Sequence, residues 1–429
     1  MPVADHTAVQ HQQTPARPTA ARLFLLVFVP FATSYFLSYL FRSVNAVIAP
    51  DLMRDIGLGA SGLGILTAAF FLGFSFVQLP LGLMLDRYGA ARVQSALLLV
   101  AALGSLIFAL ADSAAGLAIG RLLIGLGCAG GLMAAFKAIL KWYPPQWLGL
   151  VNGLYLATGG MGAMAATQPA EWVVGATGWR GLFLLLAAGA VASSLLIFLL
   201  VPRGDGADRP APFGDQVREI GRILRDRLFW RYVPVTVFGM GGSASVQGLW
   251  AGPWLADVAG LNREEIAARL LAMTTAITVG FVLTGFVADR LRRAGVSSLA
   301  VIAAGTGIAA AALAAIVAGL SPQGWWHWIL MGLTANASAQ VYPVLARHFG
   351  AERAGRANTA NTLLVFVGTF LIQYAMGAII DLWPRDAAGQ YPVEAYRAAF
   401  LFLLAGMAAS LAWLIRPGAD RVEAARRGV

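Results

Sequence analysis

The sequence predicts an all-α membrane protein of twelve transmembrane helices arranged as two pseudo-symmetric six-helix bundles. Three observations lead there. The 429 residues are 59% hydrophobic and only 12% charged, whereas soluble domains carry about 25% charged residues. Several apolar runs reach the roughly 18–20 residues that cross a bilayer as a helix. They are rich in Leu, Ala and Gly and lack the period-two alternation of barrel strands, so helices must satisfy the backbone in lipid. Finally, patterns recur in the same order in both halves. Gly82-Leu-Met-Leu-Asp86-Arg87-Tyr-Gly89-Ala-Ala-Arg92 returns as Gly285-Phe-Val-Ala-Asp289-Arg290-Leu-Arg292-Arg293-Ala-Gly295. Gly149-Leu-Val-Asn152-Gly returns as Gly355-Arg-Ala-Asn358-Thr, and Trp179-Arg180-Gly-Leu-Phe183 as Tyr396-Arg397-Ala-Ala-Phe400. Three matched pairs in one order indicate a duplicated unit.

Taken in order, Met1 to Thr19 is polar and lacks the charged-then-apolar layout of a cleaved signal peptide. Residues 1–21 are therefore expected to form a disordered cytoplasmic tail, in which His6 and His11 are too few for a metal site. Six spans follow near 22–50, 60–81, 92–111, 116–140, 148–170 and 180–201, making an N-terminal bundle over 22–201. The hydrophilic stretch 202–230 opens with Pro202, Gly204, Gly206, Pro210 and Pro212, a loop composition. In it Val217, Ile220, Leu224 and Leu228 recur at helical spacing, which predicts an amphipathic helix on the membrane surface. Six more spans, near 231–256, 268–288, 297–319, 325–347, 357–382 and 396–416, make the C-terminal bundle over 231–416, before a cytoplasmic tail at 417–429.

The formal charge of +10 does not point to nucleic acid. With the N-terminus inside, most Lys and Arg fall in the tails and inward turns, as the positive-inside rule requires. Both termini are thus expected in the cytoplasm of a cell inner membrane. Cys128 is the single cysteine and lies in an apolar run, so neither a disulfide framework nor a cysteine metal site is expected. No carboxylate dyad, nucleophilic triad or phosphate-cradling loop appears, and the reading is of no enzyme, cofactor or metal.

In these features the chain resembles the major facilitator superfamily of secondary transporters. The charged turn at Gly82–Arg92 is similar to that superfamily's signature between helices two and three, and Arg121-Leu-Leu-Ile-Gly125-Leu-Gly127 to its pattern at helix four. The resemblance implies alternating access by two rocking halves, with substrate held near the midplane between them. The segment Leu40-Phe41-Arg42-Ser-Val-Asn45 also resembles the first helix of the organic anion:cation symporter branch, where an Asp-Arg pair is followed by Asn. Phe41 replaces that Asp, and Cys128 stands where the branch often has Glu. Arg42 and Asn45 carry over; the two proton-coupling carboxylates do not.

Individual charges complete the expectation. Asp86 and Asp289, with Arg87, Arg92 and Arg290, are candidate gating residues, tying helices together in one access state. Arg42 lies about twenty residues into the first span, where a cation needs water or a partner. It shares a polar-aromatic stripe with Tyr35, Tyr39 and Asn45, and a guanidinium suits a carboxylate or phosphate. Substrate is therefore expected at Arg42, Asn45, Tyr35, Tyr39 and Lys137, with Gln247, Trp250, Asn336 and Gln340 facing across from the second half. Asn361 and Gln373 are further buried amides that need partners. The expected function is secondary transport of a small organic anion, a carboxylate, by a monomer in the lipid bilayer with no coupling ion assigned. Export of a metabolite or drug-like compound is the first alternative, and a non-transporting receptor or assembly partner the second.

Overall fold

The computed structural model describes residues 20–202, 218, 221–387 and 389–416. The described residues form twelve long helical runs. The first six are α1 (20–56, with a turn at Val44), α2 (Ala60–Tyr88), α3 (Ala90–Leu110), α4 (Ala114–Trp142), α5 (Leu148–Ala165) and α6 (Gln168–Leu200). The second six are α7 (227–257), α8 (Arg263–Arg293), α9 (Ser298–Val317), α10 (Trp326–Phe349), α11 (Ala351–Ile380) and α12 (Val393–Leu414). Ten of them are long and apolar enough to cross a membrane by length and composition alone. The other two, α5 and α7, are diluted by glycine, and α7 is interrupted by π-helical turns at Val237–Gly241 and Val246–Trp250.

Twelve passes place Ala20 and Arg416 on one face, here the terminal face, and the α1–α2 loop on the opposite, distal face. Packing repeats between the halves. α3 packs on α4 and α6 as α9 does on α10 and α12, while α2 meets α4 as α8 meets α10. The halves join through α2 against α11 and its symmetry counterpart, α8 against α5, with α1 against α7 between them.

Close backbone approach explains the small residues at this seam. Pro50 has no N–H to offer the carbonyl of Ala46 one turn back, and α7 lies against that carbonyl. A Cβ on Gly252 would stand 2.3 Å from Ala46 O. On α11, a Cβ on Gly377 would stand 2.5 Å from the carbonyl of Ala60 on α2. Only glycine allows the two halves to meet so closely.

Three sequence expectations change in detail. The charged stretches are not turns themselves: α2 runs on to Tyr88 and α8 to Arg293, so Asp86, Arg87, Asp289 and Arg290 occupy the last helical turns. The reversals are made at Gly89 (φ 81°) and Gly295 (φ 85°), where the left-handed backbone favours glycine. The seventh span begins four residues earlier than the hydropathy indicates, because Asp226 caps it by accepting from the N–H groups of Leu228 and Phe229 at 2.8 and 3.0 Å. The sixth run starts at Gln168 and bends at Gly178 (φ 72°). Of the expected surface helix, Val217 and Ile220 lie outside the described residues; 221–223 are helical, the chain turns at 224–226, Leu228 already belongs to α7, and Ile223 is buried with Phe229, Tyr232 and Leu414.

Candidate functional site

Arg42 ends the first straight part of α1, just before the turn at Val44. Its guanidinium is half-buried and faces three aromatic rings: Tyr39 at 5.5 Å, Phe71 of α2 at 5.3 Å and Phe366 of α11 at 5.5 Å. Phe366 belongs to the second half, so the cation stands on the seam between bundles. Phe366 also packs on Phe74 at 4.4 Å and on Phe71 at 5.8 Å. Tyr342 of α10 lies within electrostatic reach of both Tyr39 and Arg42 from the other side, its hydroxyl paired with Thr362 at 3.0 Å. No carboxylate pairs with Arg42 among the described residues. Ring faces attract a cation but leave its N–H donors free for an incoming anion.

The rest of the predicted stripe divides. Tyr39 stays half-buried beside Arg42. Tyr35 is only 6% exposed, stacks on Tyr155 at 4.7 Å and donates to the Tyr39 hydroxyl at 3.4 Å. Asn45 is 1% exposed and turns into its own half, donating to Thr67 at 2.8 Å with its amide oxygen unpaired. Across the seam, Gln247 is half-buried and donates to Thr274 at 3.2 Å. Asn336 donates to the carbonyl of Ile277 at 3.3 Å, and Gln340 is half-buried at the end of a 3-10 turn that interrupts α10.

Two residues expected at the site are placed elsewhere. Trp250 is 1% exposed and packed into the main core, so it is a wall of the bundle here and not a ligand face. Lys137 reaches from α4 to the end of α2, where it donates to the carbonyl of Leu85 at 3.1 Å and pairs with Asp86. The bend at Ala129–Gly130 within α4 turns its last part this way. Lys137 thus stands with the candidate gating residues instead of the expected substrate residues, and the partner of Asp86 is a lysine from another helix. Arg87 leaves the latch and lies over the Tyr88 ring at 5.3 Å, and Arg92 is exposed. Asp289 pairs with Arg292 and Arg293 of its own helix, both at 2.8 Å, while Arg290 sits over Phe286.

Arg121 is the most enclosed charge, 0% exposed. It donates to the carbonyl of Phe41 at 2.7 Å, lies 5.6 Å from the Phe70 ring and 5.9 Å from Phe108, and its other guanidinium nitrogens, Nε and Nη2, have no partner. Gln373, on α11, is likewise buried with both amide atoms unpaired, near the backbone crossing of α2 and α7.

The hydrogen bonds that tie the halves together cluster at the distal face, on residues that sequence reasoning left at span ends without a role. Arg263, first in α8, clasps Asp51 of α1 through two N–H···O contacts of 2.8 Å and Glu171 of α6 at 2.7 and 3.2 Å. Asp381, just past α11, accepts from the first N–H groups of α2, those of Ala60 at 2.9 Å and Ser61 at 2.8 Å, and from the Tyr391 hydroxyl. An anion at a helix N-terminus is favoured by unpaired N–H groups and by the helix dipole. Burial pushes this carboxyl up, but the hydrogen bonds from Ser61, Tyr391 and Ala60 outweigh it and hold Asp381 below its ordinary value. Arg385 adds a bond to the carbonyl of Leu58. An acid pair facing a lone Arg at the ends of three spans was the available signal; partner choice lay in the tertiary fold.

With this geometry in view, a family model described as the Major Facilitator Superfamily matches residues 31–371. Among curated proteins, a probable sulfoacetate transporter of Cupriavidus necator is 27% identical over 272 residues, 60% of this chain and 63% of that protein. A hexuronate transporter of Escherichia coli is 24% identical over 440 residues, 94% of this chain and 96% of that protein. Among solved structures, a bacterial homologue of the human lysosomal transporter Spinster, inward-facing and unoccupied, superposes with a TM-score of 0.70 at 19% identity, covering 95% of this chain and 98% of that one.

Proposed function

The chain belongs to the Major Facilitator Superfamily, and from that premise we propose that it carries a small organic anion, a carboxylate, across the cell inner membrane by alternating access, with Arg42 as the anchor. It is a transporter and not an enzyme, as its family and relatives are. The observation that carries the anion reading is a half-buried guanidinium at the seam of the two halves, ringed by aromatic faces and lacking a carboxylate partner. Relatives that transport sulfoacetate and hexuronate, by their names, support the same charge class. In this reading Tyr39 donates beside Arg42, Tyr342, whose hydroxyl proton goes to Thr362, lines the site, and Gln247, Asn336 and Gln340 complete the far side; Asn45 and Tyr35 hold α1 in position.

The distal ties support a state closed on that side, and the positive-inside bias supports a periplasmic distal face and a cytoplasmic terminal face. Lys137–Asp86 then braces the cytoplasmic end of the N-terminal bundle. Uptake of labelled galacturonate and sulfoacetate into proteoliposomes tests the proposal. Arg42→Ala is expected to lose about tenfold to a hundredfold in kcat/KM, since charge-assisted hydrogen bonds contribute about 1.5–3 kcal/mol. Arg42→Lys retains the charge but not the bidentate fork and should fall between. Undiminished uptake of both anions by Arg42→Ala would remove the anchor.

A further inference from the structure

The proposed site has a charge imbalance with a consequence for coupling. Phe41 and Arg42 are consecutive; Arg121 binds the carbonyl of the first, and the second carries its own guanidinium. Two cations therefore flank one turn of α1. The described carboxylates all lie in loops or within two turns of a helix end, among them Asp51, Glu171, Asp257 and Asp381 toward the distal face and Asp86 and Asp289 toward the terminal face. His327 and His348 stand in the first and last turns of α10. At mid-depth the groups that could titrate beside Arg42 and Arg121 are Tyr35, Tyr39, Tyr155, Tyr342 and Cys128, which ordinarily hold their protons at neutral pH. Nothing there offers a negative charge that could either neutralise the empty site or carry a proton across.

Resting on the anion reading of the site, we infer that the protein is an exchanger: it reorients rapidly only with an anion bound, and so moves one organic anion in for one out. To change its access the carrier must pass through a state in which the site is shut off from water on both sides. An unneutralised guanidinium is disfavoured there. Aromatic faces hold it in place yet carry no net charge. A bound carboxylate supplies both the missing charge and the hydrogen bonds. The loaded carrier therefore crosses and the empty one stalls, which makes return transport depend on a counter-anion. A monovalent pair exchanged one for one moves no net charge, so neither a membrane potential nor a proton gradient should drive it.

The test uses the full chain in proteoliposomes with labelled galacturonate outside. Vesicles contain buffer alone, unlabelled galacturonate, unlabelled sulfoacetate, or neutral galactose. Internal galacturonate or sulfoacetate is expected to raise initial uptake at least tenfold over buffer, and galactose to raise it not at all. Uptake into galacturonate-loaded vesicles, where a monovalent anion exchanges for a monovalent anion, should be unchanged by a potassium–valinomycin potential or an imposed pH gradient. Equal rates in loaded and empty vesicles, stimulation by galactose, or proton-driven uptake into empty vesicles would each overturn exchange while leaving anion transport intact. No movement of either anion in any vesicle would instead remove the anion reading itself, and exchange with it.

Discussion

Arg263 of the second bundle grips Asp51 of the first through two parallel contacts of 2.8 Å, and this clasp lies on the face opposite Ala20 and Arg416. Asp51 is 3% exposed and is also held by Arg54 at 3.0 Å. Removing Arg263 leaves Asp51 a single partner and frees Glu171 altogether. Arg263→Gln should shift the access equilibrium by about 1–2 kcal/mol, below the full value for a buried pair because the arginine is partly solvated. Spin labels at Ala114→Cys, at the distal start of α4, and Pro322→Cys, in the distal α9–α10 loop, should show a growing long-distance population. An unchanged distribution would show that the clasp does not hold the face shut.

Backbone contact at the seam gives a sharper perturbation. Gly252→Val would place its Cβ 2.3 Å from the Ala46 carbonyl, an atom of the main chain that cannot swing aside. The same labels should report loss of the closed distal arrangement, with uptake reduced more than folded yield. A side chain accepted at 252 with wild-type distances and rates would contradict the close crossing of α1 and α7.

For Lys137 the structure and the sequence expectation make different predictions. As a brace on Asp86, with both side chains about a third exposed, it should contribute about 0.5–1 kcal/mol. Lys137→Ala would then lower thermal stability slightly and kcat more than KM. The exchanged pair Asp86→Lys with Lys137→Asp should recover part of the loss. A rise in KM alone, without recovery by the exchanged pair, would return Lys137 to the substrate.

The pH dependence of the distal closure follows from Asp381. Its folded value is depressed, so the stabilisation it gives is fully present above the ordinary carboxylate value of 3.8 and is lost as pH falls through the lower native one. Label distances should therefore stay constant from pH 8 to 5 and lengthen only in stronger acid; Asp381→Asn should show the acid-side distances at every pH. A transition near neutrality would assign the closure to another group.

Much of the fold was legible because a bilayer leaves a chain few options. Twelve apolar runs, three patterns repeated in order, and the basic bias of the tails and turns determined the spans and their pairing into two bundles. Arg42 stood out for the same reason, since a lone cation deep in a span needs water or a partner. Helical spacing also put Tyr35, Tyr39, Arg42 and Asn45 on one stripe, but the turn at Val44 and the packing of α2 and α5 left only Tyr39 and Arg42 at the seam.

What the tertiary structure alone decided are the pairings between distant segments. Lys137 was expected at the substrate, and past the bend in α4 it reaches the last helical turn of α2 instead. Asp51, Glu171 and Asp381 read as ordinary span ends until Arg263 and the start of α2 met them from the other half. Phe71 and Phe366 drew no attention in the sequence, and only the meeting of two bundles brings both rings to one guanidinium. Hydropathy and periodicity are local along the chain and so fix which segments span and which face is polar. Partner choice depends on how rigid helices cross, and that is set by close contacts such as Gly252 on Ala46, between residues some two hundred positions apart.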